Sequence, residues 1–404
     1  MTSPILFASY DGLLDPLGDS QFLRYIERIS RHDFKPIIIT FEKASSLSDK
    51  NSLRKIQERI VACNCIWLCF KYHNHVPVLS SLFDIFIGIL ATLYVLIRHK
   101  TALIYARSYM TSFMVLPALS FFSIPFVFDP RGFWPEEKVD ANHWSSAGLI
   151  YKVVKWLESL IYSRANCVFV QTKSAHTITS KRLSLLNSVA RVEIIPNSVD
   201  LNLFDPLDHV SCHSEFILGY VGSLGTWYLL DEMLNVFAEL KRRLPSSRFV
   251  IINKNQHELV FNRATALSVD TSSIDVISLS PLDVPKLVST FDLAISLVKP
   301  CFSKLASSPT KIPEYLAMGV PVLSNSGVGD FESIFEANGV GITISTFDSC
   351  SISDAVSEAI LLAKKPGIAY ECRNVASNFF SLDHASLKMI DIFTLLLAER
   401  TSFL

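Results

Sequence analysis

The cysteines show no metal-binding spacing, and the charge shows no excess of one sign. Three of the eight cysteines, Cys63, Cys65 and Cys69, share one strand-like run, and the others are scattered along the chain. We therefore expect reduced, packed thiols in a cytosolic protein. A net charge of −1 and a pI near 6.8 exclude a general nucleic-acid binder, which would carry a basic stripe.

The first residues, MTSPILFASYDG, lack the basic region and the cleavable apolar core of a signal peptide, and they predict a first strand. The sequence also has no Asn-x-Ser/Thr sequon, which agrees with a cytoplasmic protein. The longest apolar run, Ile85 to Ile97, has thirteen residues between Asp84 and the basic residues Arg98 to Lys100. A membrane-spanning helix needs about 20 residues, so we expect a buried or interfacial helix. Its basic end leaves open a peripheral contact with the inner face of a membrane.

A chain of 404 residues is long for one core, and two domains are expected. Short apolar runs alternate with helical patterns, which predicts α/β domains with doubly wound, mostly parallel sheets. The predicted strands are 5–8, 35–41, 65–69, 102–105, 126–129, 167–171, 192–195, 215–223, 249–253, 275–279, 293–297 and 320–323.

A helix start, a charged pair and a buried strand follow one another in SSPTKIPEYLAMGVPVLSNSGVGD, residues 307–330. Thr310 is the expected N-cap of a helix that runs from Lys311 to Met318 and ends at Gly319. Lys311 and Glu314 then share one face near the positive end of the helix dipole. A diphosphate fits this helix start, and ribose hydroxyls fit Glu314.

The alternative is that Lys311 and Glu314 form an ordinary surface pair, which contributes only about 0.2 to 0.5 kcal/mol. After the next strand, Gly327 and Gly329 lie in a loop whose backbone can approach a ligand closely. Earlier in the chain, FILGYVG continues to Gly225 with the spacing Gly-x-x-Gly-x-x-Gly. This differs from the Gly-x-Gly-x-x-Gly of dinucleotide enzymes, so NAD binding is not expected, whereas a phosphate-facing loop is.

PTKIPEYLAMGVPV resembles the nucleotide-binding helix of retaining glycosyltransferases of family 4, and VGSLGTWY and IPNSVDLNLFDP are similar to other segments of that family. The resemblance covers nearly the whole chain. It implies a GT-B fold, in which two Rossmann-like domains face a central cleft. It also implies that Glu314 holds the ribose of a nucleotide-sugar and that the helix start faces the phosphates.

Two departures from the family pattern affect the donor site. Many members have a second glutamate eight positions before Glu314, where this chain has Ala306, so sugar contacts would come from residues 302–308, including Ser308. The family also commonly places an arginine and a lysine after the Gly222 strand, where this chain has Ser223 and Thr226. Lys311 and Lys299 are then the expected counter-charges of the diphosphate. The predicted donor-binding residues are Gly18, Gly222, Ser223, Thr226, Lys299, Ser308, Thr310, Lys311, Glu314, Gly327 and Gly329, with Glu314 and Lys311 as the catalytic pair.

The first half contributes Gly18, in the loop after the first strand, which in the family lies against the donor phosphates and the acceptor. Polar and aromatic residues also follow two later strands, in a pattern that suits sugar recognition. The stretch FVFDPRGFWPEEKVD resembles the acceptor and sugar region of bacterial family 4 enzymes that build surface polysaccharides. The predicted acceptor and sugar residues are Arg107, Arg131, Trp134, Glu136 and Glu137.

Together these features predict an N-terminal domain at 1–198, a nucleotide-sugar domain at 199–380, and a final helix at 381–404 that packs back on the first domain. The resemblance implies a retaining hexosyl- or N-acetylhexosaminyltransferase. Its donor would be a UDP- or GDP-linked sugar, its acceptor a lipid-linked or growing surface glycan, and it would need no metal or cofactor. Two alternatives stay open: a GT-B nucleotide-sugar 2-epimerase, and a non-catalytic nucleotide-sugar-binding subunit of a polysaccharide assembly.

Overall fold

The computed structural model describes residues 2–206 and 215–402, so Cys212 lies outside the described residues. The chain forms two compact units, one containing Met1–Ile195 with Asp383–Leu404 and the other containing Pro196–Leu382. Within the described residues, the other seven cysteines are free thiols.

The first unit is built on a seven-stranded sheet in the order β3-β2-β1-β4-β5-β6-β7, in which every neighbouring pair is parallel. Its strands are β1 (Ser3–Ser9), β2 (Phe34–Glu42), β3 (Ile66–Lys71), β4 (Leu103–Arg107), β5 (Phe126–Asp129), β6 (Cys167–Val170) and β7 (Arg191–Ile194).

Helices connect these parallel strands. They are α1 (Pro16–Gly18), α2 (Arg24–Ile29), α3 (Ala44–Ser48), α4 (Lys50–Ala62), α5 (Pro77–His99), α6 (Tyr109–Val115), α7 (Trp134–Asp140), α8 (Leu149–Arg164) and α9 (Lys173–Leu185). A π-helical turn, Asp19–Leu23, joins α1 to α2, and a 3₁₀ turn, Ala118–Ser120, follows α6.

The second unit has a six-stranded sheet in the order β10-β9-β8-β11-β12-β13, again with parallel neighbours. Its strands are β8 (Ile217–Val221), β9 (Arg248–Ile252), β10 (Ile274–Ile277), β11 (Leu293–Ser296), β12 (Val322–Asn325) and β13 (Gly341–Ile344). Its helices are α10 (Leu230–Arg243), α11 (His257–Ala266), α12 (Val284–Val288), α13 (Lys311–Ala317), α14 (Phe331–Asn338), α15 (Ser349–Ala363) and α16 (Ile368–Phe380). The 3₁₀ turns are Thr271–Ser273 and Phe302–Ala306.

Two Rossmann-like units with parallel sheets confirm the predicted fold class. The last helix, α17 (Leu382–Ser402), packs on the first sheet. The ring of its Phe393 lies 6.0 Å from the ring of Phe7 on β1 and 6.3 Å from the ring of Phe169 on β6. In the second unit, α13 and α16 share one hydrophobic core, and α10 and α15 share the other.

The length predicted for the apolar helix at Ile85–Ile97 is wrong. Helix α5 has 23 residues and continues on both sides of that run. The apolar run stops at Asp84, but the helix does not, because the Asp84 carboxylate accepts hydrogen bonds from the Tyr10 hydroxyl at 2.8 Å and the His73 backbone N–H at 3.1 Å. A buried carboxylate with such partners is tolerated inside a helix.

The strand before the Gly327 loop also starts later than predicted, at Val322 instead of Val320. Pro321 has no N–H to donate to a neighbouring strand, and its carbonyl accepts the N–H of Ala294 at 2.9 Å. Apart from this difference, the predicted and the observed strands place the same loops at the carboxyl edges of the sheets.

Candidate functional site

The order in which the chain adds strands to the second sheet reverses between β8 and β11. From β8 the strands continue through β9 to β10 on one side, and from β11 they continue through β12 to β13 on the other. Open α/β sheets bind their ligands at such a switch point, beyond the carboxyl ends of the strands. The loop after β8 and the start of α13 meet at this edge through the contacts described below.

Lys311 is the first residue of α13, and it is 95% buried with 5% of its surface exposed. Its ammonium lies 2.8 Å from the Tyr220 hydroxyl and 3.6 Å from the centre of the Tyr228 ring. No carboxylate of the described residues lies within ion-pair distance of it. Burial lowers the pKa of Lys311, and the charge of Glu314 only partly opposes this. Lys311 is therefore held by ring faces and a hydroxyl and has no carboxylate to neutralise it, so a bound anion would favour its charged form.

Glu314 lies one helical turn after Lys311 and is half-buried. Burial raises the pKa of its carboxyl to about 7, while the charge of Lys311 acts in the opposite direction. In the part of the chain that the structure describes, its carboxylate makes no ion pair or hydrogen bond. When ionised, both oxygens are available to accept hydrogen bonds from hydroxyl groups.

Three tyrosines support Lys311 and the attachment of α13 to β8, and the sequence analysis missed all of them. The Tyr220 hydroxyl donates to the Ser223 carbonyl at 2.7 Å, and the Tyr315 hydroxyl accepts the Val221 N–H at 2.7 Å. Tyr228 covers the Lys311 ammonium. Their positions in apolar segments are typical of core residues, so only their hydroxyl groups could have indicated a polar role.

Gly222 is needed where the β8 loop passes Lys311. Its φ is +131°, and a Cβ there would lie 2.9 Å from the Lys311 ammonium. The loop is held by Asn253, whose amide donates to the Gly222 carbonyl at 2.9 Å, and by Gln256, which accepts the Leu224 N–H at 2.7 Å. This brings Gly222 next to Lys311, as expected for one site.

The other donor residues predicted on the β8 loop are exposed. Ser223 and Thr226 both have solvent-facing side chains. Among the described residues, apart from its two chain neighbours, no heavy atom lies within 4 Å of the place that a Cβ of Gly225 would take. The loop therefore presents hydroxyls and open backbone, with no charged side chain between residues 222 and 226.

Ser308 and Thr310 precede α13, but Thr310 does not cap the helix with its side chain as predicted. Thr310 has helical backbone angles and makes no side-chain capping bond. Ser308 is buried, and its hydroxyl accepts the Asn197 N–H at 3.3 Å while its carbonyl accepts the Asn197 side-chain amide. Thr310 therefore occupies the predicted N-cap position, but the predicted side-chain hydrogen bond is wrong. Ser308 connects α13 to the start of the second unit.

Lys299, Gly327 and Gly329 border the same edge. Lys299 follows β11 with an exposed side chain, and its N–H donates to the Trp227 carbonyl at 2.8 Å. Gly327 and Gly329 have φ values of +77° and +55°, so both positions favour glycine. The Gly329 N–H donates to the Lys304 carbonyl at 3.0 Å.

A second buried lysine, which the sequence analysis did not select, lies nearby. The Lys304 ammonium lies 3.8 Å from the centre of the Trp227 ring, and 7% of the residue is exposed. Two residues later, Ala306 is fully buried. The position where many family members carry a glutamate is therefore enclosed in this chain.

In the first unit the corresponding switch point lies between β1 and β4. Arg107 ends β4, is 4% exposed, and donates from Nη1 to the Gln21 carbonyl. Its Nε and the hydroxyl of Ser108 have no hydrogen-bond partner among the described residues. Arg131 follows β5, with its Nη1 3.5 Å from the Asp129 carboxylate. Two guanidinium groups thus lie at this edge, and their contact with an acceptor stays a prediction.

Two of the other predicted acceptor residues, Glu136 and Trp134, contact neighbouring side chains of the first unit. The Glu136 carboxylate lies 2.9 Å from the Lys155 ammonium and 2.7 Å from an Arg182 guanidinium nitrogen. The Trp134 ring packs 5.1 Å from the Trp144 ring. Glu137 is half-buried in the first turn of α7. Both ion pairs engage Oε1 of Glu136 and connect it to α8 and α9, and a sugar contact of Glu136 stays a prediction.

Packing inside the first unit also explains why residue 18 is a glycine. A Cβ at Gly18 would lie 1.8 Å from the Gly12 carbonyl oxygen, so glycine is required by packing within the loop. The loop is fastened by Glu42, which the sequence analysis missed. Its buried carboxylate accepts the Leu13 N–H at 2.7 Å and the Leu14 N–H at 3.2 Å. A ligand role of Gly18 would therefore be limited to its backbone.

Comparisons with known proteins show the fold and a family match over part of the chain. Residues 208–370, which include the Lys311 and Glu314 pair, match the family model for glycosyl transferases group 1. A search of curated proteins finds no match. The solved sucrose-phosphate synthase of Thermosynechococcus elongatus is 13% identical, with a TM-score of 0.76 over 98% of this chain and 100% of that one.

Two further solved structures are similar. Anabaena HepE in complex with UDP-glucose is 16% identical, with a TM-score of 0.67 over 99% of this chain and 100% of that one. WaaG, a glycosyltransferase involved in lipopolysaccharide biosynthesis, is 14% identical, with a TM-score of 0.67 over 96% and 99%. The fold is GT-B. With the family match, these findings support a glycosyltransferase of the GT-B type.

In this GT-B chain, no group of three or more His, Cys, Asp or Glu residues within the described ranges could hold a metal ion. Activity without a metal stays a prediction. It is checked by treating the purified protein with EDTA and measuring turnover of its donor.

The raised pKa of Glu314 predicts a pH-dependent stability of the ligand-free protein. The carboxyl titrates near 7 in the folded chain and at about 4.3 when unfolded, so the folded state binds the extra proton between these values. This stabilising contribution is complete below the unfolded pKa and is lost as the pH rises through about 7. We expect the melting temperature of the parent to fall between pH 5 and 8 relative to that of Glu314→Gln, measured by calorimetry. Parallel pH profiles would contradict the raised pKa.

Proposed function

We propose that this chain is a retaining glycosyltransferase that moves a hexosyl or N-acetylhexosaminyl group from a nucleotide-diphosphate sugar to an acceptor hydroxyl. The observation that carries the proposal is the pair formed by the buried Lys311 and the half-buried Glu314 at the β8/β11 switch point. A buried ammonium without a carboxylate partner favours binding of an anion. A carboxylate one turn away is suited to the ribose hydroxyls of the same nucleotide.

The donor is proposed to be UDP- or GDP-linked. HepE of Anabaena, which has a similar fold, was solved with UDP-glucose. In this chain the diphosphate would contact Lys311, with the backbone of the β8 loop and of Gly327 and Gly329 close to its oxygens. Ser223, Thr226 and Lys299 are exposed at the same edge and would supply the outer contacts.

In the proposed step, the bond between the sugar C1 and the diphosphate oxygen breaks, and a bond from C1 to the acceptor oxygen forms on the same face. The acceptor proton passes to the departing phosphate oxygen. Lys311 stabilises the negative charge that develops on the diphosphate, which is the electrostatic role a metal ion has in other transferases. The products are a glycoside with the donor's anomeric configuration and a nucleoside diphosphate.

The acceptor is proposed to be a lipid-linked or growing surface glycan, met on the cytoplasmic side of a membrane. WaaG, which has a similar fold, is a transferase involved in lipopolysaccharide biosynthesis. Arg107 and Arg131, at the carboxyl edge of the first sheet, are the candidates for contacts with acceptor hydroxyl or anionic groups.

A non-catalytic donor-binding subunit is the second candidate, because of Ala306. This residue is fully buried where many members of the resembled family have a glutamate near the transferred sugar. Such a protein would bind the nucleotide-sugar through Lys311 and Glu314 without turnover.

A thermal-shift screen with UDP-, GDP-, ADP- and CMP-linked sugars tests the proposal. A donor at 100 times its dissociation constant stabilises the fold by about 2.7 kcal/mol. We expect one UDP- or GDP-linked sugar to raise the melting temperature. The stabilising donor is then incubated with glycan acceptors, and the product is examined by NMR.

Retention of the donor's anomeric configuration is the expected result. Inversion would contradict the retaining mechanism. Free nucleotide with an altered sugar and no acceptor product would indicate an epimerase, and binding without turnover across acceptors would favour the non-catalytic subunit. If no nucleotide-sugar changes the melting temperature, the donor site is wrong.

A further inference from the structure

The first unit leaves one side of α5 uncovered. Six large apolar residues on this side are 52% to 68% exposed: Leu79, Leu82, Phe83, Phe86, Leu90 and Ile97. They recur at helical spacing, so they form a continuous stripe. The opposite side is apolar too, with Ala91, Val95 and Leu96 buried. A helix that is apolar on all sides is stable when both sides are shielded from water, and the first unit shields only one side of α5.

The way α5 packs indicates that it lies along the unit. By length and composition, Val78–His99 could cross a membrane, and 39% of it is buried. Its inner side, however, contacts β1, β2 and α6. Asp84 on that side is fully buried and is bonded to Tyr10 and His73. A bilayer-spanning position would pull this carboxylate away from its partners, whereas an in-plane position keeps them.

The uncovered surface extends beyond α5. Helix α6 contacts both α5 and α8, and Phe121, in the segment after α6, is 81% exposed. Helix α8 exposes Leu149, Ile150, Val153 and Trp156, again at helical spacing. Right-handed connections from β3 to β4, β5 and β6 place α5, α6 and α8 on the same side of the sheet. We call the exposed sides of α5, Phe121 and α8 the α5–α8 face.

The charge on this face has one sign. From Ile85 to Phe128 the sequence contains no Asp or Glu. The acids within α5 and α8, Asp84 and Glu158, are 0% and 2% exposed. The exposed charged residues of these segments are Arg98, Lys100, Lys152 and Arg164, all basic. The α5–α8 face is apolar and its exposed charges are positive. An anionic lipid bilayer complements it, because a bilayer has an apolar interior and negative headgroups.

We propose that the α5–α8 face docks in the plane of an anionic lipid bilayer, with α5 and α8 inserted at the headgroup level. The basic residues then contact lipid phosphates while the stripes enter the acyl boundary. A second copy fits less well, because a symmetric contact would bring basic residues together without an acid on either side. The proposal goes beyond the transfer reaction and does not depend on it.

Vesicle co-sedimentation of the full chain tests the proposal. We expect binding to vesicles of phosphatidylcholine with phosphatidylglycerol and much weaker binding to phosphatidylcholine alone. Binding should also weaken with salt, because the Debye length falls from about 30 Å at 0.01 M to about 3 Å at 1 M. Phe86→Ser/Leu90→Ser should lower the partition coefficient at least about 10-fold, since two exposed apolar groups no longer enter the lipid.

Val61→Ser/Leu395→Ser is the matched control, because it removes two exposed apolar residues of the first unit that belong to α4 and α17 and should leave binding unchanged. Trp156→Ser should also weaken binding if α8 inserts with α5. Circular dichroism melts and nucleotide binding show that each variant is folded, so a failure here is separate from a failure of the donor site. The proposal is overturned if folded protein binds no vesicle, or binds both vesicle types equally. A dimer that only Phe86→Ser/Leu90→Ser dissociates would assign the face to a second copy.

Discussion

Glu314→Ala is expected to weaken donor binding by about 10- to 100-fold, or about 1.4 to 2.8 kcal/mol. The parent carboxylate would accept two hydrogen bonds from ribose hydroxyls, and each bond to a charged group contributes about 1.5 to 3 kcal/mol. Glu314→Gln keeps the shape and one acceptor oxygen, so its loss should be smaller. Isothermal titration calorimetry with the donor found in the thermal-shift screen measures all three proteins.

A 2′,3′-dideoxy nucleotide separates a ribose contact from a general loosening of the site. It lacks the hydroxyls, so Glu314→Ala should reduce its affinity much less than that of the natural nucleotide. Equal losses for both ligands would show that the mutation acts on the fold. Unchanged donor binding and turnover in Glu314→Ala would make α13 a purely structural helix.

The fold class was predictable because the alternation of strands and helices can be recognised even where the bounds of a single element are predicted wrongly. Buried parallel strands appear as short apolar runs, and the runs at Phe126–Asp129 and Leu293–Ser296 correspond closely to observed strands. The length of α5 was not predictable from hydropathy. Asp84 interrupts the apolar run, and only the distant partners Tyr10 and His73 make it compatible with the helix.

The candidate site was predictable where spacing along one element decides it. Lys311 and Glu314 lie three residues apart on α13, and this spacing alone places both at one edge of the sheet. The residues around them come from distant strands and loops. Tyr220 contacts Lys311 although the two residues are 91 positions apart in the sequence, and no local pattern indicates that contact. Their roles in binding stay predictions.

Carboxylates were the least predictable residues of the site. Glu136 stands in a polar, aromatic stretch typical of sugar recognition, yet its partners Lys155 and Arg182 lie on later helices. Glu42 ends an apolar strand and gave no signal, yet it fixes the Leu13 backbone by accepting its N–H. Whether a carboxylate binds a ligand or stabilises the fold depends on neighbours that are remote in sequence.

Lys311→Met should weaken nucleoside-diphosphate binding by about 100-fold, or about 2.8 kcal/mol, and nucleoside binding by less than about 3-fold. The ammonium is buried against Tyr220 and Tyr228 and has no carboxylate partner among the described residues, so a diphosphate would be its counter-charge. Methionine keeps most of the volume and leaves no buried charge. Calorimetry with UDP or GDP, and with uridine or guanosine, measures the two losses.

Lys299→Met is the matched control, because Lys299 is also near the donor edge but is exposed to water. An exposed charge is screened by solvent and salt, so its removal should weaken diphosphate binding several-fold less than Lys311→Met, and more so at low salt. The comparison decides which lysine replaces the cations absent from the Ser223 loop. If Lys311→Met lowers the affinities for diphosphate and nucleoside equally, Lys311 does not meet the phosphates, and its burial between the tyrosines serves the fold alone.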